Sequence, residues 1–114
     1  MPFIHMKVAG PTLAPEQIRR LQRQMTTLSD QTFGALSDQV AVLVEPVAIA
    51  GWSIDGKPVQ IAAHVVLETP AQPIPDELQK ARLIEATSTL LKRVLGEPLE
   101  NLSFVVIDGR PTCR

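Results

Sequence analysis

Met1-Pro2-Phe3-Ile4-His5-Met6-Lys7-Val8 sets Pro2, Ile4, Met6 and Val8 against Phe3, His5 and Lys7. That alternation has the period of a β-strand, one set turned toward a core and the other toward the opposite face. The same pattern returns at Ile61-Ala62-Ala63-His64-Val65-Val66-Leu67. Laying His64 on His5 puts Val65 on Met6 and Leu67 on Val8. The chain therefore reads as a repeat, and the segments after each strand should correspond.

They do. After the first strand, Gly10-Pro11-Thr12 makes a turn, and Pro15-Glu16 opens a helix with proline in its tolerated first position and an acid at the positive end. Ile18, Leu21, Met25 and Leu28 recur at helical spacing, with Arg19, Arg20, Arg23 and Asp30 elsewhere on the wheel. Phe33-Gly34 should end it. Val40-Ala41-Val42-Leu43-Val44 is a continuous apolar run, expected to be a strand buried on both faces. Within Ala48–Lys57, Asp55-Gly56 marks a short hairpin that closes the first half. In the second half one extra loop residue brings Pro75 onto Pro15, and Asp76-Glu77 opens the second helix. Leu78, Ala81, Ile84, Leu91 and Val94 or Leu95 are its expected apolar side, and Gly96 followed by Pro98 stops it. Leu102-Ser103-Phe104-Val105-Val106-Ile107 is the last strand.

The order β-α-β, hairpin, β-α-β predicts an α/β fold. Two pseudo-symmetric units, 2–57 and 58–114, form a four-stranded sheet within one domain, 1–114, with both helices on one face. The other face, carrying Phe3, His5, Ala62, His64 and Val66, is apolar enough to need cover, and assembly around a common centre supplies it.

Composition narrows the function classes. With 45% apolar and 20% charged residues, the 114-residue chain has an ordinary globular mixture. The net charge is −1 and no basic run exceeds Arg19-Arg20, which argues against a nucleic-acid partner. No apolar run is long enough to span a membrane, and the beginning, broken by His5 and Lys7, does not read as a secretory signal. Cys113 is the single cysteine, so no internal disulfide forms, and a cytoplasmic location is the default expectation.

Proline at position 2 permits removal of Met1, which leaves residue 2 carrying the α-amino group as a secondary amine on a rigid ring. Four segments in order resemble the tautomerase superfamily, typified by 4-oxalocrotonate tautomerase and macrophage migration inhibitory factor. They are Met1-Pro2 before a strand, Val40–Pro46, Ala50-Gly51-Trp52-Ser53-Ile54-Asp55-Gly56, and Gly96-Glu97-Pro98-Leu99-Glu100-Asn101. The resemblance covers essentially the whole length and implies a fused, two-unit chain that forms a homotrimer. It also implies that mature Pro2 acts as a general base on a small enol or α-keto compound, with no cofactor. Trp52 matches the aromatic that walls the pocket; it fits equally a tryptophan packed in an intersubunit core.

The departures bear on substrate. Where tautomerases of diacids carry arginines, this chain has Thr12 and Ala41, with Thr69-Pro70 and Ser103 in the second half. The lysine and tyrosine of the cytokine-like branch fall on Ala35 and Ser103. Arg110 is left as a candidate substrate-binding residue reaching a neighbouring subunit's pocket, against the plainer reading of a surface arginine beside Asp108. His5 and His64, without cysteine or a clear carboxylate partner, read as interior or interface residues and not as metal ligands. Glu45, Glu68 and Asp108, near strand ends, are unranked candidates to assist a proton transfer. The alternative function is a catalytically silent trimer that binds a ligand or a protein through the same pocket.

Overall fold

The computed structural model describes residues 3–10, 12–33, 40–69, 76–96 and 99–108. Six strands and two long helices follow in the order β1 (Phe3–Ala9), α1 (Pro15–Phe33), β2 (Ala41–Val47), β3 (Ser53–Ile54), β4 (Lys57–Pro58), β5 (Ala62–Thr69), α2 (Glu77–Leu95) and β6 (Asn101–Asp108). The main sheet has the order β2-β1-β5-β6. β1 runs parallel to β2 and β5 parallel to β6, while the central pair β1–β5 is antiparallel. Each β-α-β unit thus contributes one parallel pair, and the two units join back to back.

Alternation decides the inner face. Ile4, Met6 and Val8 of β1, with Ala63, Val65 and Leu67 of β5, are almost fully buried and pack against Leu21 and Met25 of α1 and Leu91 of α2. These are the residues on which the predicted repeat rests. β3 and β4 form the expected hairpin. Asp55 and Gly56 both have positive φ, 54° and 75°, as a two-residue turn of the I′ type requires.

Both helices are 19 residues long and are fixed by the same device. In α2, Asp76 accepts from the Gln79 backbone N–H at 2.8 Å, and the Gln79 side chain accepts from the Asp76 N–H at 3.0 Å. In α1, the Gln17 side chain accepts from the Ala14 N–H at 2.7 Å, while alanine offers no return bond. Each glutamine also reaches the end of the other helix. Gln17 Nε2 donates to the Val94 carbonyl at 3.1 Å, and Gln79 Nε2 donates to the Thr32 carbonyl at 3.5 Å. The helices are therefore antiparallel, clasped at both ends.

Three expectations need correction. The helix-start glutamines are 62 positions apart and the paired histidines 59, so the second unit carries three extra residues before its helix, not one. Pro15, first in α1, corresponds to Glu77 and not to Pro75. The buried side of α2 is Leu83, Thr87, Leu90, Leu91, Val94 and Leu95, whereas Leu78 is 60% exposed and Ala81 is exposed too. A polar residue at the centre of the stripe hid it: the Thr87 hydroxyl is satisfied by the Leu83 carbonyl at 2.7 Å, with Met25 Sδ at 3.8 Å. Finally, β2 is an edge strand, with Leu43 46% exposed, and it runs on through Pro46, which an edge tolerates.

Candidate functional site

Away from the helices, the strand registers build a grid of four rows. They read Ala41–Phe3–Glu68–Ile107, Leu43–His5–Val66–Val105, Glu45–Lys7–His64–Ser103 and Val47–Ala9–Ala62–Asn101. Among the described residues, the first two rows hold most of the exposed large apolar side chains. Phe3, Leu43, Val105 and Ile107 are 36–46% exposed. The third row is polar.

One polar contact spans the second and third rows. His5 Nε2 lies 2.7 Å from Glu45 Oε1, across the parallel β1–β2 pair and one step off the direct register, which sets His5 opposite Leu43. The sequence offered His5 without a partner and Glu45 as one of three unranked acids. Register joins them: two strands that start level, as Phe3 and Ala41 do, place residue 5 beside residues 43 and 45. Among the described residues no group of three or more His, Cys, Asp or Glu side chains comes together to hold a metal ion.

Of the site residues singled out from sequence, Trp52 is among the described ones. Pro2 and Arg110 lie outside the described residues. The strands that lead to them are level, because Phe3 at the start of β1 pairs with Glu68, which pairs with Ile107 near the end of β6. Trp52 belongs to the opposite end. It follows Val47, which pairs with Ala9, and it caps a 3₁₀ turn, Ile49–Gly51, by donating its N–H to the Ile49 carbonyl at 3.1 Å. Its own carbonyl accepts from Val59 at 3.4 Å, which roots the β3–β4 hairpin there. Phe3 and Ala9 are six residues apart, about 20 Å of extended strand. Trp52 is half-buried at that far end. Within one chain, then, Trp52 is not brought to the start of β1.

The positions that hold arginine in diacid tautomerases are uncharged here. Thr12 is exposed between β1 and α1, Ala41 is half-buried opposite Phe3, and Ser103 is exposed on β6. The charged side chain in the row of Phe3 is Glu68, an acid.

No family model matches the sequence, and no curated protein matches it either. Solved structures do match the fold. Leishmania major MIF2 superposes with a TM-score of 0.80 at 16% identity, over 100% of this chain and 94% of that one. A wild-type fused 4-OT symmetric trimer gives 0.77 at 20% identity, over 93% and 84%. Pt0534 inactivated by 2-oxo-3-pentynoate gives 0.76 at 18% identity, over 93% and 84%. Identities this low speak for architecture, and the coverage leaves little of either chain unmatched. The chain has the β-α-β fold of these MIF, fused 4-OT and Pt0534 structures.

Proposed function

We propose that the protein is a tautomerase-like isomerase in which mature Pro2 is the general base, acting on a small enol or α-keto compound within a homotrimer. The observation that carries this reading is Met1-Pro2 standing directly before β1 in a chain of this fold. A secondary amine takes a proton only when neutral, and apolar surroundings favour its neutral form by penalising the ammonium. Phe3 and Ile107, both partly exposed in the first row, supply such surroundings at that end of the sheet. The amine removes a proton from one atom of the substrate and returns it to another, so no atom or electron is lost or gained. Arg110, two residues past the end of β6, would meet the carboxylate of an α-keto acid.

The trimer is part of the proposal because Trp52 and the start of β1 are at opposite ends of one chain, so a second copy has to complete the pocket. The two apolar rows of the sheet face give that copy a surface to cover. A specific observation favours the second reading, a silent trimer: Thr12, Ala41 and Ser103 provide no cation for a diacid substrate.

Three measurements test this. Light scattering should give three times the chain mass at micromolar concentration. The intact mass of natively produced protein should lack Met1, since a retained methionine makes the Pro2 nitrogen an amide and leaves the silent trimer. Ketonisation of phenylenolpyruvate should fall by about two orders of magnitude in Pro2→Ala, the usual contribution of a positioned base. Equal rates for wild type and variant would show that the prolyl ring contributes nothing, and an equal rate in protein that retains Met1 would remove the case for catalysis by this amine.

A further inference from the structure

Charge is divided unevenly between the layers. α1 carries Arg19, Arg20 and Arg23 against Glu16 and Asp30, and α2 carries Lys80, Arg82, Lys92 and Arg93 against Glu77 and Glu85. The helices thus hold seven cations and four acids, a net +3, in a chain whose total is −1, which leaves −4 for everything else. Composition alone concealed this, because the two layers nearly cancel.

A furrow runs through the positive layer. Two concavities between the helices, of about 390 and 250 Å³, share Leu28, Arg82 and Ala86 and so form one groove. Gln24, Leu28 and Gln31 line it from α1, at a spacing of three and four residues that places them on one stripe. Arg82, Ala86, Thr89 and Arg93 form the opposing stripe of α2, with Glu85 beside it. None of the ion pairs between described residues, His5–Glu45, Arg19–Glu16 and Lys80–Glu77, engages Arg82 or Arg93. The groove therefore offers two uncommitted guanidinium groups over a floor that includes Leu28 and Ala86.

We propose that this groove docks an extended acidic segment of a partner protein, with a carboxylate at each end of a seven-residue stretch. The spacing sets the length. Arg82 and Arg93 are eleven positions apart, about 16 Å along a helix. An extended chain covers about 20 Å in six steps, the smallest even number that spans them, so both carboxylates leave one face of the strand within reach of the long arginine side chains. Arginine pairs with a carboxylate through two parallel hydrogen bonds, which favours a defined position over a diffuse cloud. Gln24, Gln31 and Thr89 are donors and acceptors for the segment's backbone. Glu85 selects among anions: a peptide can set a neutral residue opposite it, whereas a nucleic acid would bring evenly spaced phosphates against it. The groove is on the opposite side of the sheet from the face offered for assembly, so this inference stands apart from the proposed catalysis.

The test uses the full chain and a fluorescein-labelled, capped heptapeptide with glutamates at its two ends and Val-Ser-Ala-Ser-Val between them, followed by anisotropy at low salt. The peptide should bind, and a probe with glutamine ends should bind at least fivefold more weakly. The double variant Arg82→Glu/Arg93→Glu should lose at least fivefold and should instead take a lysine-ended probe. Arg19→Glu/Arg20→Glu, equal in charge change but outside the groove, should leave binding unchanged. Absence of binding, indifference to the glutamates, or an equal loss in the Arg19/Arg20 control would overturn the proposal. So would tighter binding of a twelve-nucleotide oligothymidylate, which would make the surface a polyphosphate site. Circular dichroism of both double variants, whose sites are exposed, checks that they remain folded.

Discussion

Ser29 faces the core from α1 with no exposed surface, and its hydroxyl oxygen has no hydrogen-bond partner. Burying an unpaired hydroxyl costs about 1–3 kcal/mol. Ser29→Ala removes that cost and leaves a better helix former, so it should stabilise the fold by about 1 kcal/mol. A rise in melting temperature of roughly 4 °C is the expected reading in a thermal scan. An unchanged or lower value would mean that the hydroxyl is satisfied in solution, for instance by a trapped water. Thr87, its buried polar counterpart on α2, has the Leu83 carbonyl and should not gain from the same treatment. At this scale sequence is informative where a constraint is local. Gly96, with φ of 82° and its N–H on the Lys92 carbonyl at 2.8 Å, ends α2 where a glycine followed closely by proline predicts an end. The Asp55-Gly56 turn was legible for the same reason. Ser29 and Thr87 were not, since a lone hydroxyl among apolar residues carries no mark of whether it faces the core.

Among the elements, the two glutamines at the third position of each helix join capping to helix packing. Gln17 and Gln79 each accept from a backbone N–H at their own helix start and donate to a carbonyl near the other helix's end. Replacing either by alanine removes two hydrogen bonds, and partial solvent replacement makes the expected cost about 1 kcal/mol each. The clasps stand at opposite ends of 19-residue helices, about 28 Å long, so the two costs should add. Urea denaturation of the single and double variants measures this, and strong non-additivity would show that the helices dock as one cooperative unit. The strands were legible because their alternation survives in both copies, as in Ile4-His5-Met6 and Ala63-His64-Val65. The buried side of α2 was not. Leu78 and Ile84 also fit a helical stripe, but the packed helix turns Leu83 and Leu90 to the core and leaves Leu78 exposed, with Gln79 reaching the Thr32 carbonyl. The edge position of β2 was equally hidden: an apolar run describes a strand that something covers, without saying whether the cover comes from this chain or another.

For the whole molecule, that last point becomes a statement about where a site can be. One chain places the start of β1 and the root of the Trp52 hairpin at opposite ends of a sheet about 20 Å deep. If Pro2 and Trp52 act on one substrate, each pocket takes its proline from one protomer and its tryptophan from a neighbour. This predicts complementation. Pro2→Ala homotrimers exchange the rigid secondary amine for a mobile primary one and Trp52→Ala homotrimers lack the apolar wall, so each should be impaired, the second by about tenfold. Unfolding the two variants together in equal amounts and refolding them should give mixed trimers. In these, a complete pocket forms wherever the proline of a Trp52→Ala chain meets the tryptophan of a Pro2→Ala chain. Random assembly makes that about one pocket in four, so the mixture should recover roughly a quarter of the wild-type rate per chain. Were proline and tryptophan drawn from the same chain, no mixture would contain a complete pocket, and the rate would stay at the mean of the two variants. A homotrimer that retains Met1, and so has no amine at residue 2, yet keeps full activity would instead show that the base lies elsewhere, with the His5–Glu45 pair of the second and third rows as the first group to replace.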